Sequence, residues 1–170
     1  MVPSDQPLVG ADKDYLPLTG LAQFADHAVS LVARVHMELV LFSYELDRRI
    51  YSSEAFTEPL KKFLLSHERA RMRVLVNSAE TAVRTGNRLI ELGRMLSSRV
   101  EFRDLPEEKR ELREEYLVCD ARSYIYRREP SDLEARYYAD APLQARGLLR
   151  IFEELWQISP PARELRDLKI

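Results

Sequence analysis

Few residues in this chain have both the type and the spacing that chemistry needs. Carboxylates occur in adjacent pairs, Glu107/Glu108, Glu114/Glu115 and Glu153/Glu154. General acid–base work needs two carboxyls facing one substrate. Sequence neighbours do not share a helix face, and they alternate across a strand. The pairs therefore read as solvated charge. Glu115 differs, because it leads directly into the apolar run Tyr116–Cys119. His27, His36 and His67 are far apart and no HExxH is present, so no metal site is expected. Cys119 has no His or Lys beside it and reads as a small buried hydrophobe. Gly86 and Gly93 stand alone, with no GxxxxGK[ST] or GxGxxG, and no GxSxG elbow exists. The pattern therefore implies no cofactor.

Such residues need a scaffold, and 170 residues with 45% apolar and 32% charged content support one domain with one sizeable core. No apolar run reaches the roughly 18–20 residues that would span a bilayer. The first residues lack the basic-then-apolar order of a secretory signal. A lone cysteine excludes a disulfide framework and points to the cytoplasm. The net charge of −2 argues against a nucleic-acid coat. Residues 1–18, with Pro3, Pro7 and Pro17, read as a flexible lead-in, 19–158 as the domain and 159–170 as a charged tail.

Within the domain, Phe24, Ala28, Leu31 and Val32 recur at helical spacing after Thr19. Glu38–Tyr44 carries the continuous apolar run of a strand covered on both faces. Residues 54–66 fit an amphipathic helix, with Pro59 pushing its start toward Thr57. A second buried strand is predicted over 71–77, one helix over 81–97 and a third strand over 99–103. Glu115–Cys119 and Ser123–Arg127 flank Asp120-Ala-Arg122 as a hairpin. A strand near 135–138 and a helix opened by Pro142 follow. Strands separated by helices predict an α/β fold with a mixed, mostly parallel sheet and helices on both faces.

The stretch Arg113-Glu-Glu115-Tyr-Leu-Val-Cys-Asp120, with its turn and second strand, resembles the phospholipase D superfamily. The order of elements over roughly residues 20–157 fits as well. Members carry a His-x-Lys motif before an apolar strand that ends in Asp. The resemblance puts Arg113 at the histidine position, Glu115 at the lysine position and Asp120 at the aspartate. In active members the histidine attacks phosphorus and the lysine balances phosphate charge. A guanidinium has no free lone pair for attack, and Glu115 reverses the lysine's charge. The motif is thus degenerate, and no catalytic residue is assigned.

The expected function is a catalytically inactive phospholipase D-like domain, a binding or protein-interaction module. Arg113, with Ser43, Asn77 and Ser78 at strand ends, is the candidate for weak anion binding. The alternative is a phosphodiesterase-type hydrolase using carboxylates, with Glu115 or Asp47 as base. A third reading, an all-parallel five-strand interaction domain, requires that the hairpin be absent. The resemblance implies a homodimer, because single-motif members pair two copies to complete one site. Another protein is the other expected partner, and no nucleic acid.

Overall fold

The computed structural model describes residues 14–166. The rest of the lead-in, 1–13, and the tail end, 167–170, lie outside the described residues. The elements run β1 (Leu16–Thr19), α1 (Gly20–Arg34), β2 (Glu38–Ser43), α2 (Arg48–Tyr51), α3 (Glu54–Leu64) and β3 (Arg71–Val76). Then come α4 (Glu80–Thr85), α5 (Arg88–Met95), β4 (Val100–Asp104), β5 (Glu115–Cys119) and β6 (Ser123–Arg127). β7 (Glu134–Tyr138), α6 (Pro142–Ile158) and α7 (Arg163–Arg166) complete the chain.

Period-two alternation divides the core between the two faces of one sheet. Leu39, Leu41, Met72, Val74, Leu117, Cys119 and Ile125 pack with Phe24, Leu31, Phe56, Leu60 and Leu89 from α1, α3 and α5. Val40, Phe42, Leu75, Tyr116, Val118 and Tyr124 pack with Leu148, Phe152 and Trp156 of α6. Each such large side chain contributes about 1.5–3 kcal/mol on burial. Helices on both faces explain the continuous apolar runs in the central strands.

The seven strands lie in the order β1-β7-β6-β5-β2-β3-β4. β2–β3 and β3–β4 are parallel. The other junctions, β1–β7, β7–β6, β6–β5 and β5–β2, are antiparallel. The sheet is mixed, but its balance is antiparallel and not parallel as expected. The cause is the hairpin, which adds its strands on one side of β2 while the helical crossovers build the other side. The hairpin also removes the all-parallel reading.

Three local departures have plain causes. Pro59 sits inside α3, which starts at Glu54 and not near Thr57. Ser53 caps it by accepting from Phe56 N at 3.2 Å, and burial of Phe56, Leu60 and Phe63 outweighs the one lost backbone bond. The single helix expected over 81–97 is two, because Gly86 takes φ 82° and Asn87 restarts the chain, its Oδ1 accepting from Leu89 N at 2.9 Å. Leu16–Thr19 forms an edge strand on β7, although Pro17 reads as a breaker. Proline is tolerated at an edge. Beyond α6, Ala162 and Leu165 are buried and Asp104 N donates to Pro160 O at 2.9 Å, so packing continues past residue 158.

In the β5–β6 turn, Asp120 and Ala121 both have φ 53°, the sign pattern of a tight hairpin turn whose twist matches the flanking strands. Alanine is strained in that region and glycine is not. Ala121→Gly is expected to stabilise the protein by about 0.5–1 kcal/mol, read as a higher urea midpoint with an unchanged m-value.

Candidate functional site

The run of β5 separates the residues of the degenerate motif. Glu115 opens β5 beside the carboxyl ends of β2, β3 and β4, whereas Asp120 follows the far end of β5. The five residue steps from one to the other span roughly 17 Å. At that far edge, Asp120 Oδ2 accepts from His36 N at 2.8 Å, and Oδ1 accepts from Met37 N at 2.8 Å and Glu38 N at 3.0 Å. Asp120 therefore clamps the backbone that leads into β2. Its carboxylate is an acceptor of three amides, a strong arrangement for a charged group.

Arg113 and Glu115 remain together at the near edge. Arg113 is exposed, with its guanidinium over the Tyr44 ring at 4.4 Å. Glu115 is 2% exposed. Its Oε2 accepts from Tyr51 Oη at 2.6 Å and Ser43 Oγ at 2.8 Å, and its Oε1 accepts from Tyr44 N at 3.1 Å. Burial raises the Glu115 pKa above the ordinary value, against the pull of these three donors and the Arg127 charge. Burial, then the Glu115 charge, pushes the Tyr51 hydroxyl well up, so it stays a donor.

Ser43 is fully buried and doubly engaged, because its Oγ also accepts from Leu46 N at 3.0 Å. Asn77 Nδ2 donates to Arg110 O at 3.0 Å and to Leu112 O at 2.8 Å. Ser78 N donates to Tyr44 O at 2.7 Å. Asn77 and Ser78 line a cavity with Asp104 and Arg110, whose lining differs from that of the Glu115 cavity. Burial raises the Asp104 pKa there. Asn77 N also donates to Ser43 O at 3.0 Å and Arg113 lies over Tyr44. The four residues grouped for anion binding are thus neighbours at the adjacent ends of β2 and β3, with the Ser43 and Asn77 side chains engaged by protein partners.

Sequence reasoning missed Arg127. It pairs with Glu115 directly across the hairpin and is 8% exposed. The two side chains form no ion pair; the Arg127 guanidinium lies over the Phe24 ring at 5.0 Å. The signal was available: Ser123, Ile125 and Arg127 share a strand face, so an inward Ile125 implies an inward Arg127. Glu115 and Arg127 border a cavity of about 240 Å³ with Asp47, Arg49 and the start of α1. Asp47 is committed to Arg49, accepting from its Nε at 3.0 Å and Nη2 at 2.8 Å. Burial pushes the Asp47 pKa up, but the Arg49 bonds prevail and hold it below the usual value.

The described histidines lie elsewhere. His27 packs on Tyr137, and His67 bonds to the His36 carbonyl at the far edge. Among the described residues, no group of three or more His, Cys, Asp or Glu side chains is assembled to hold a metal. Cys119 is buried, which pushes its thiol up to about 12 and leaves it protonated. Among these residues no helix is long and apolar enough to cross a membrane.

The fold is phospholipase D-like. Nuc of Salmonella typhimurium, a phospholipase D family member, is similar at 11% identity with TM-score 0.60, over 90% of this chain and 99% of that one. NucT of Helicobacter pylori is similar at 5% identity with TM-score 0.54, over 86% and 98%. TrmBL2, an archaeal chromatin protein with a novel mode of DNA binding, is similar at 12% identity with TM-score 0.65, over 95% of this chain. The chain spans only 56% of TrmBL2. Identities this low establish the fold alone. No curated protein matches. A family model described as a domain of unknown function (DUF7931) matches residues 20–168.

The raised Glu115 pKa means that the folded state holds this proton more tightly than the unfolded state. Its contribution to stability is complete below about pH 4.3, the unfolded value, and is lost as pH rises through the raised folded value. Glu115→Gln keeps the shape and cannot titrate. The stability of wild type relative to Glu115→Gln should fall as pH rises above that point, measured as urea midpoints of both proteins. A difference that grows in favour of wild type would contradict the burial argument.

Proposed function

The chain belongs to the DUF7931 family, and we propose that its phospholipase D-like fold serves binding and not phosphodiester cleavage. The observation that carries this reading is the use already made of the three motif positions. Arg113 stacks on Tyr44, Glu115 is buried against three donors, and Asp120 clamps backbone amides. Among the described residues no imidazole borders the Glu115 cavity, so the nucleophile and proton donor of family chemistry have no counterpart there. Arg113, exposed at the same edge, is the cation through which a weak anion contact would form.

A second reading keeps an activity, with Glu115 or Asp47 as base in a carboxylate-dependent hydrolase. It is favoured by one observation: Glu115, with its raised pKa, borders a cavity together with Asp47. Against it, the Glu115 oxygens are engaged by Ser43, Tyr44 and Tyr51, and Asp47 is held by Arg49. A base needs a lone pair directed at a substrate proton.

The expected partner is a second copy of this chain or another protein. The net charge of −2 favours a protein over nucleic acid. TrmBL2 is the DNA-binding neighbour, and its likeness brings no DNA contact to this chain. Incubation of the purified chain with bis-p-nitrophenyl phosphate, single- and double-stranded DNA, and phosphatidylcholine is expected to give no turnover. Sedimentation with and without DNA reads the partner in parallel. Turnover that is lost in Glu115→Gln or Asp47→Asn would overturn the binding reading in favour of the hydrolase.

A further inference from the structure

The cavity beside Glu115 contains an unmet demand for a negatively charged acceptor. Arg127 lines it, is 92% buried, and its Nε has no hydrogen-bond partner. A guanidinium cannot shed its proton to relieve this. A buried charged donor without an acceptor is costly, and it persists where something else supplies the acceptor.

A second feature points at the same space. Gly20 and Leu21, at the start of the 15-residue α1, also line the cavity. Of the four orphan amides there, Thr19 N donates to Gln23 Oε1 at 2.8 Å and Gly20 N to Leu133 O at 2.7 Å. The Thr19 side chain makes no cap, and the first turn holds no acidic residue. The amide of Leu21, which lines the cavity, and the positive end of the helix dipole are left for an anion. Phe24, one turn on, carries the Arg127 guanidinium on its ring. One helix thus supplies both the amide and the platform that orients the cation.

The other lining charges decide which anion fits. Glu45, Asp47, Glu115 and Asp132 border the cavity with Arg49 and Arg127. Asp47 is paired with Arg49 and Asp132 with Arg128, yet the surroundings stay acidic. Repulsion scales with ligand charge, so a dianion such as a phosphate monoester is disfavoured relative to a monoanion. An Arg fork matches the two oxygens of a carboxylate.

We propose that this cavity binds a small monocarboxylate, with Arg127 as its anchor and the Leu21 amide of α1 as a supporting donor. The proposal rests on the reading that this edge of the sheet serves binding. Its test measures binding without turnover, so the two can fail separately.

The experiment is an NMR titration of the full chain, labelled with ¹⁵N, with sodium acetate at constant ionic strength. A parallel arm uses inorganic phosphate. The Leu21 amide and the Arg127 Nε–H should shift together and saturate with acetate. Arg127→Gln should weaken binding by about tenfold or more, and Arg69→Gln, at the opposite edge, should leave it unchanged. Shifts that rise linearly without saturation, equal affinity in Arg127→Gln, or phosphate bound as tightly as acetate would overturn the proposal. If Arg127→Gln does not fold, the wild-type map decides, and saturable shifts confined to other residues count against the site.

Discussion

A buried carboxylate at the start of β5, beside the carboxyl ends of the parallel strands β2 and β3, organises this molecule. Glu115 gives up water and receives Ser43, Tyr44 and Tyr51 in exchange. Those partners come from the end of β2, the loop after it and α2, so one side chain ties the hairpin to the first crossover. Ionising such a group in a dry interior is costly, and each donor offsets part of that cost. The raised pKa of Glu115 and the high pKa of Tyr51 are two views of the same desolvation.

The opposite end of β5 carries a matching constraint. Asp120 binds the amides of His36, Met37 and Glu38, and its own N–H donates to Glu38 O at 2.9 Å. β5 is therefore pinned to β2 at both ends by carboxylates, and the register between them follows. This gives the positions that resemble a catalytic motif a mechanical use. Asp120 supports the fold at a distance from the edge where Glu115 sits. Arg127 stands across from Glu115 and contributes positive charge without a direct bond. Its position near the uncapped start of α1 follows from the same hairpin register, because Ile125 and Arg127 must face α1 together.

Much of this was legible in the chain before folding. The hairpin over residues 115–127 matched because alternation and the short Asp120-Ala-Arg122 turn are local signals. The split of the helix at Gly86 and Asn87 was missed, because an isolated glycine within a helical pattern does not show which φ it takes. The edge strand at Leu16–Thr19 was missed because its partner, β7, lies over a hundred residues away. The four residues grouped for anion binding lie near one another because β2 and β3 are neighbours in the sheet. That the Ser43 and Asn77 side chains are taken up by Glu115 and by the Arg110 and Leu112 carbonyls was not legible, since those partners come from distant parts of the chain.

The sequence alone determined the central strands and the longer helices, which faces are apolar, and that no imidazole precedes the Glu115 strand at the motif spacing. These depend on neighbours within a few residues, where periodicity and side-chain chemistry act directly. Tertiary structure alone decided that the sheet is largely antiparallel, that Leu16–Thr19 joins it beside β7, and that Glu115 meets Ser43, Tyr44 and Tyr51. The physical reason is that the direction and register of strand pairing are set by long-range packing. A charge's environment is a property of whatever the chain brings to it from a distance.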